Sequence, residues 1–286
     1  MLKHLVGIEG LPRPELEELL KPPTPGWKVE GSVALMFHEP STRTRFSFHH
    51  AARRVGLDPL HYEASLSSEK KGETLLDTCR NLSWMGTVAF VLRVKENEVP
   101  HRLARDLNLP VINAGDGTNE HPTQALGDAM TLLQHFGSLS GLTVSIIGDV
   151  RFSRVARSNT RLLSQFGVNV LLAGPVLSGK HPFGVGSPGK VVPVEQAISE
   201  ADALMMLRWQ GERHLIKADD RSMYLLNGTA LEEKAKPHAM VMHPGPVNRG
   251  VELTSDVVDG KRSLIKKQVE WGVTARARVL QWALSP

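Results

Sequence analysis

Seven short apolar runs, alternating with helical segments, constrain this sequence more than any other feature. They fall at residues 32–37, 87–92, 110–113, 141–148 (G-L-T-V-S-I-I-G), 168–173, 203–207 (A-L-M-M-L) and 239–242. Each is a continuous apolar stretch of strand length, the pattern of a strand buried on both faces. Helices are predicted over residues 14–20, from Ser41 to the stop at Gly56, and over 154–166 with Val155, Leu162, Leu163 and Phe166 near helical spacing. A last helix over 269–284 has Trp271, Val279 and Trp282 as apolar anchors. Strands alternating with helices predict an α/β fold of parallel sheets covered on both sides. At 286 residues the chain is long enough for two domains, with the boundary expected between Gly127 and Gly141. Residues 178–190 hold four glycines and two prolines and are expected to form a loop.

Composition narrows the class. Apolar residues make up 41% and charged residues 22%, which excludes a disordered chain. The charge excess is mild, 34 basic against 30 acidic side chains, with no basic stripe, so no nucleic-acid partner is expected. A single cysteine, Cys79, excludes an internal disulfide framework and a multi-cysteine zinc site, and its predicted place is a helix interior, as a small buried residue. No apolar run is long enough to span a bilayer and the first residues carry no secretion signal, so no membrane partner and a cytoplasmic location are expected.

Two clusters look chemical. Ser41-Thr42-Arg43-Thr44-Arg45 places three hydroxyls and two guanidiniums where a strand turns into a helix. Unpaired N–H groups at a helix start hold phosphate, and the hydroxyls and Arg43 add donors. Helix capping explains one such hydroxyl, not three. His121-Pro122-Thr123-Gln124 follows a polar, glycine-bearing stretch and opens another helix; His121 fits either a structural histidine or a donor to a developing oxyanion, with Gln124 on the same side. Arg93, Arg154 and Arg208 each lie close to a predicted strand end, the edge where ligands bind in parallel sheets. Gly148-Asp149 is no dinucleotide fingerprint, because G-x-G-x-x-G is absent.

The segments Phe37-His38-Glu39-Pro40-Ser41-Thr42-Arg43-Thr44-Arg45, Lys70-Lys71-Gly72-Glu73-Thr74, His121-Pro122-Thr123-Gln124-Ala125-Leu126 and His243-Pro244-Gly245-Pro246-Val247-Asn248-Arg249-Gly250 resemble, in order, motifs of the aspartate/ornithine carbamoyltransferase superfamily. The resemblance runs from about residue 30 to the C-terminal helix and is to the aspartate branch. It implies two domains, each a parallel sheet flanked by helices. Residues 1–127, completed by the C-terminal helix 269–286 packing back on them, would bind carbamoyl phosphate, and residues 128–268 would bind aspartate. The implied reaction moves the carbamoyl group of carbamoyl phosphate to the amine of L-aspartate in pyrimidine synthesis, with no cofactor and no metal.

By that similarity Ser41, Thr42, Arg43 and Thr44 cradle the phosphate, and Arg93 bridges phosphate and carbonyl oxygen. Thr44, Arg93 and His121 point at the carbonyl oxygen, while Gln124 and the backbone carbonyls of Gly245 and Pro246 hold the carbamoyl NH2. Arg154 and Arg208, steadied by Gln210, take the two carboxylates of aspartate. Ser67 and Lys71 belong to a loop that, in the family, enters a neighbouring subunit's site, which implies a homotrimer. A dihydroorotase or a regulatory chain is a further partner the resemblance allows.

Gly245 stands where leucine is common, though a backbone carbonyl role tolerates either; two further departures, residues 178–190 shorter than the usual helix there and Trp209 bulkier than expected, fall in the aspartate half. Ornithine carbamoyltransferase is the nearest alternative. His243-Pro244-Gly245-Pro246 lacks the cysteine of that branch, and Lys71, Arg208 and Gln210 suit a dicarboxylate. A catalytically silent scaffold homologue is disfavoured because every expected position is filled.

Overall fold

β1 (Ser32–Phe37, S-V-A-L-M-F) is buried from its second residue onward, as a strand covered on both faces must be. It pairs in parallel with β2 (Asp58–Tyr62) on one side and β3 (Thr87–Val94) on the other, and β4 (Val111–Asp116) pairs with β3. The computed structural model describes residues 2–63, 67–175, 181–209 and 222–285. Within it the chain divides into two units, Met1–Met130 with Val269–Pro286, and Thr131–Gln268.

In the first unit the described strands run in the order β2-β1-β3-β4. The helices α1 (Arg13–Leu19), α2 (Thr42–Arg54), α3 (Leu75–Trp84), α4 (Val99–Asp106) and the first part of α5 (Pro122–Phe136), which continues past Met130 into the second unit, accompany them. Met36, Phe90, Leu92, Leu103 and Cys79 share one buried cluster. The Cys79 thiol sits against the Met36 sulfur at 3.7 Å, and burial pushes it up to about 12. It is the inert core residue the sequence suggested.

Most of α5 is buried, and its Gly127 lies where an added Cβ would stand 3.1 Å from the Cα of Gly272. Gly272 belongs to the C-terminal helix, Ile265–Leu284. A side chain at Gly127 would therefore need one of the two backbones to give by a few tenths of an ångström. This helix begins four residues before the expected 269. Of its three expected anchors Val279 and Trp282 are buried, but Trp271 is only half-buried, so it does not anchor the core.

In the second unit the order is β7-β6-β5-β8-β9, again parallel throughout, built from β5 (Thr143–Ile147), β6 (Asn169–Ala173), β7 (Lys190–Val191), β8 (Ala203–Met206) and β9 (Met240–Met242). The helices are α6 (Arg154–Gln165), α7 (Val194–Glu200), α8 (Gly228–Lys234) and α9 (Ser255–Val258). The Ser145 hydroxyl, buried on β5, donates to the Ala197 carbonyl at 2.6 Å. Residues 181–189 form turns without a helix, as the glycines predicted; residues 178–180 of that stretch lie outside the described residues.

Each sheet has one place where successive connections leave in opposite directions, between β1 and β3 in the first and between β5 and β8 in the second. The carboxyl ends of strands at such a point form the crevice in which α/β proteins bind ligands. Every cluster the sequence singled out at a strand end maps onto one of these two places.

Candidate active site

At the first crevice β1 ends at Phe37, opposite Arg93 of β3 in the pairing register. The chain then turns through His38-Glu39-Pro40 into α2, with Ser41 at the N-cap in extended conformation. The Ser41 side chain makes no capping bond to the helix. Thr74, Ser153 and Asn227, at the starts of α3, α6 and α8, all accept a backbone N–H at their caps. The hydroxyl of Ser41 is thus held at the positive end of a helix dipole without being used to close that end. Thr42 is exposed beside it, Arg43 is half-buried and Thr44 is buried one residue on.

Arg93 is fixed from two sides. Its Nε lies 3.5 Å from the Glu39 carboxylate and its Nη1 donates to the Ala114 carbonyl at 3.4 Å. Beyond Ala114, Asp116 is fully buried and gathers the loop that leads to His121. It accepts from the Glu98 backbone N–H at 2.7 Å, from the Asn113 and Asn119 amides at 2.8 and 3.0 Å, and from the Glu120 N–H at 3.1 Å. Glu120 in turn accepts from the N–H groups of Ile8 and Glu9 at 3.0 and 3.2 Å. His121 therefore sits, buried, on a loop whose backbone is held by two carboxylates before α5 begins.

One turn into α5, the Gln124 side-chain nitrogen donates to Asp128 at 2.8 Å. Asp128 is fully buried and interacts with two guanidiniums, Arg43 and Arg276. Burial lowers Arg43 from its ordinary value while Asp128 raises it. Burial pushes Arg276 down to about 10, opposed by Asp128 and reinforced by Arg43, so it stays a cation at neutral pH. Arg276 also donates to the Gly272 carbonyl at 2.8 Å and lies 5.4 Å from the Phe48 ring centroid. Sequence reasoning missed Glu39, Asp116, Asp128 and Arg276. For Asp128 a signal existed: it is the one acidic residue between Pro122 and Phe136, four places after Gln124.

Ser67 precedes a short 3-10 turn, Ser68–Lys71, and its hydroxyl accepts from the Glu69 N–H at 3.3 Å. Glu69 ties the turn down, accepting from the Tyr62 hydroxyl at 2.7 Å and meeting His38 Nε2 at 3.1 Å. Lys71 is exposed at the end of this turn.

At the second crevice Gly148 leaves β5 with φ 119°, and a Cβ there would stand 3.1 Å from the Leu207 carbonyl oxygen, so only glycine fits the turn. Ser153 caps α6 by accepting from the Ala156 N–H at 3.1 Å, and Arg154 is the first helical residue. Arg208 follows β8, which pairs with β5 through Ile147 and Met206. The sheet thus brings Arg154 and Arg208 to the same end.

Trp209 is buried: its ring packs edge-on to Tyr224 at 5.7 Å, and its backbone N–H donates to Glu252 at 3.0 Å. Glu252, also buried and also missed, accepts from the Asn248 N–H at 2.8 Å as well. It ties the segment after β8 to the segment carrying Gly245 and Pro246. In that segment the Gly245 N–H donates to His243 Nδ1 at 2.8 Å. Gln210 lies outside the described residues.

Two parallel-sheet units, one with an open helix start and guanidiniums, the other with cations after its strands, define an α/β protein equipped to hold anions at the carboxyl ends of its strands. Residues 3–134 match the family model described as aspartate/ornithine carbamoyltransferase, carbamoyl-P binding domain, and residues 140–283 match its Asp/Orn binding domain. The chain belongs to the aspartate/ornithine carbamoyltransferase family. It is 48% identical, over 98% of its length and 99% of the relative's, to the aspartate carbamoyltransferase catalytic subunit of Myxococcus xanthus. It is 45% identical to that of Solibacter usitatus, over 97% of each chain.

Among solved structures it resembles aspartate transcarbamoylase from Trypanosoma cruzi in complex with carbamoyl phosphate and aspartate. The TM-score is 0.85 at 26% identity, over 99% of this chain and 96% of that one. It also resembles ornithine carbamoyltransferase from Pyrococcus furiosus, with a TM-score of 0.83 at 28% identity over 98% and 96% of the two chains. The fold is common to both branches.

Proposed function

We propose that this chain catalyses transfer of the carbamoyl group from carbamoyl phosphate to the amine of L-aspartate, giving N-carbamoyl-L-aspartate and phosphate in pyrimidine synthesis. The observation that carries it is the start of α2, where Ser41 occupies the N-cap without bonding the helix, beside Arg93 at the strand switch point. Ser41, Thr42, Arg43 and Thr44 offer hydroxyl, backbone and guanidinium donors to a phosphate dianion. The full-length relatives named for aspartate support the choice of acceptor.

The amine nitrogen of aspartate attacks the carbonyl carbon, negative charge collects on the carbonyl oxygen, and the C–O bond to phosphate breaks. The departing phosphate is basic enough to take the amine proton. Thr44, Arg93 and His121 stabilise the oxyanion, the largest single contribution expected in acyl transfer. Gln124, with the carbonyls of Gly245 and Pro246, receives the carbamoyl NH2. Arg154 and Arg208, with Gln210, hold the carboxylates. The first unit in this scheme is the carbamoyl-phosphate-binding domain (1–127 with 269–286) and the second the aspartate-binding domain (128–268).

Lys71 and Ser67 serve a neighbouring copy in a homotrimer. The exposure of Lys71 supports this, as do the exposed apolar side chains Phe46, Trp84 and Met85 of the same unit. A cytoplasmic location accords with the chemistry; among the described residues no helix is long and apolar enough to cross a membrane. The test is competition: with carbamoyl phosphate and equal aspartate and ornithine, carbamoyl-aspartate is the expected product, and citrulline would overturn the assignment. For the trimer, inactive Arg43→Ala and Lys71→Ala chains are mixed and reassembled. Recovered activity is expected, and verified mixed trimers without any would refute shared sites.

A further inference from the structure

We propose that Asp128 fixes which end of the Gln124 amide faces the substrate, and thereby makes the site select a carbamoyl group over an acyl group of the same size without N–H donors. The assignment of Gln124 to the carbamoyl group made above is the premise. An amide presents a donor at one end and an acceptor at the other, and the two ends are nearly equal in shape. Unaided, such a side chain can turn either end to a ligand.

Here the choice is made by chemistry. An ionised carboxylate only accepts hydrogen bonds, so the Gln124 nitrogen must be the end 2.8 Å from Asp128 Oδ1. Two guanidiniums, Arg43 and Arg276, interact with Asp128 in its fully buried setting, two opposite charges for one carboxylate. Arg276 is itself tethered to the Gly272 carbonyl at 2.8 Å, so this support does not drift. With the nitrogen committed inward, the carbonyl oxygen of Gln124 is what the site presents.

Carbamoyl phosphate meets that oxygen with an N–H. Acetyl phosphate, with a methyl in the same place, leaves it without a donor. A site built to hydrogen-bond a group discriminates strongly against an analogue lacking it. Asp128 is on this account a positioning residue that sets specificity through Gln124, not a group that touches substrate.

The experiment uses full-length Asp128→Asn, Asp128→Asn with Arg276→Gln, and Gln124→Leu. The double variant removes both charges, so that no buried guanidinium is left facing a neutral side chain. For each, kcat/KM with carbamoyl phosphate and aspartate is compared with the value for acetyl phosphate, and inhibition by inorganic phosphate is measured beside it. Asparagine can donate or accept, so it no longer dictates the orientation of Gln124. The expected result is a fall of about tenfold or more in the carbamoyl-to-acetyl ratio in both Asp128 variants, with phosphate inhibition changed by less than about threefold.

A wild-type ratio in either folded Asp128 variant, while Gln124→Leu loses it, would overturn the proposal and leave the site assignment standing. An equal loss of phosphate inhibition would overturn it too, since Asp128 would then only support the fold. A wild-type ratio in Gln124→Leu would instead remove the premise, and the proposal with it.

Discussion

The starts of α2 and α6 stand at the same place in two parallel sheets and are finished in opposite ways. Both helices follow a strand at the switch point of its sheet, and both have serine at the N-cap. Ser153 of α6 closes its helix by accepting the Ala156 N–H at 3.1 Å. Ser41 of α2 makes no such bond. A closed helix start spends its hydroxyl on its own backbone and offers mainly what the first side chain brings, here Arg154. An open one keeps N–H groups and hydroxyl for an anion. The first suits a carboxylate, held by a guanidinium fork. The second suits a phosphate, with more oxygens and more charge to satisfy.

Loss of the guanidinium proposed to hold phosphate is the largest blow this contrast predicts. Arg43→Ala is expected to lower kcat/KM for carbamoyl phosphate about a thousandfold, read in a steady-state assay. Arg208→Ala belongs to the other side of the comparison. It is expected to lower kcat/KM for aspartate about a hundredfold while inhibition by inorganic phosphate is kept. Equal loss of both in Arg208→Ala would erase the division of labour between the two crevices.

Smaller effects test how the second unit is held together. Asp202, just before β8, accepts from the Thr143 N–H at 2.8 Å and meets Lys236 and His238 at 2.7 and 3.0 Å. Burial raises its carboxyl, but these partners outweigh that and leave it below the ordinary 3.8. A depressed folded value means the stabilisation is complete above pH 3.8 and is lost as pH falls through the lowered value. Asp202→Asn is expected to cost about 2 kcal/mol at neutral pH by denaturant titration. The gap between variant and parent should close as the pH is lowered past that point; a constant gap would contradict the ion-pair origin.

How much of this was legible in the sequence follows from what each feature needs. β1, β3, β5 and β8 announce themselves because a strand buried on both faces must be apolar throughout. β2 (D-P-L-H-Y) did not, since an edge strand with one buried residue in five looks like a loop. β4 runs three residues past the expected Asn113, because its Ala114, Gly115 and Asp116 lack an apolar signature. The motif residues were visible at Ser41–Thr44, His121 and Gln124. Their supports, Asp116, Asp128, Glu252 and Arg276, were not, because a lone charged residue in sequence looks solvated until the fold shows it buried. Trp209 reads in the sequence only as bulkier than expected; the fold gives its ring a buried place against Tyr224.

The most direct test of the contrast compares Ser41→Ala with Ser153→Ala by thermal unfolding, each with and without inorganic phosphate. Ser153→Ala is expected to lose about 1 kcal/mol of stability and to keep the full gain from phosphate. Ser41→Ala is expected to unfold within about 0.5 kcal/mol of the parent and to lose most of that gain. A Ser41→Ala chain that is destabilised like its counterpart, yet still gains full stability from phosphate, would contradict the claim that the start of α2 is kept open for the substrate.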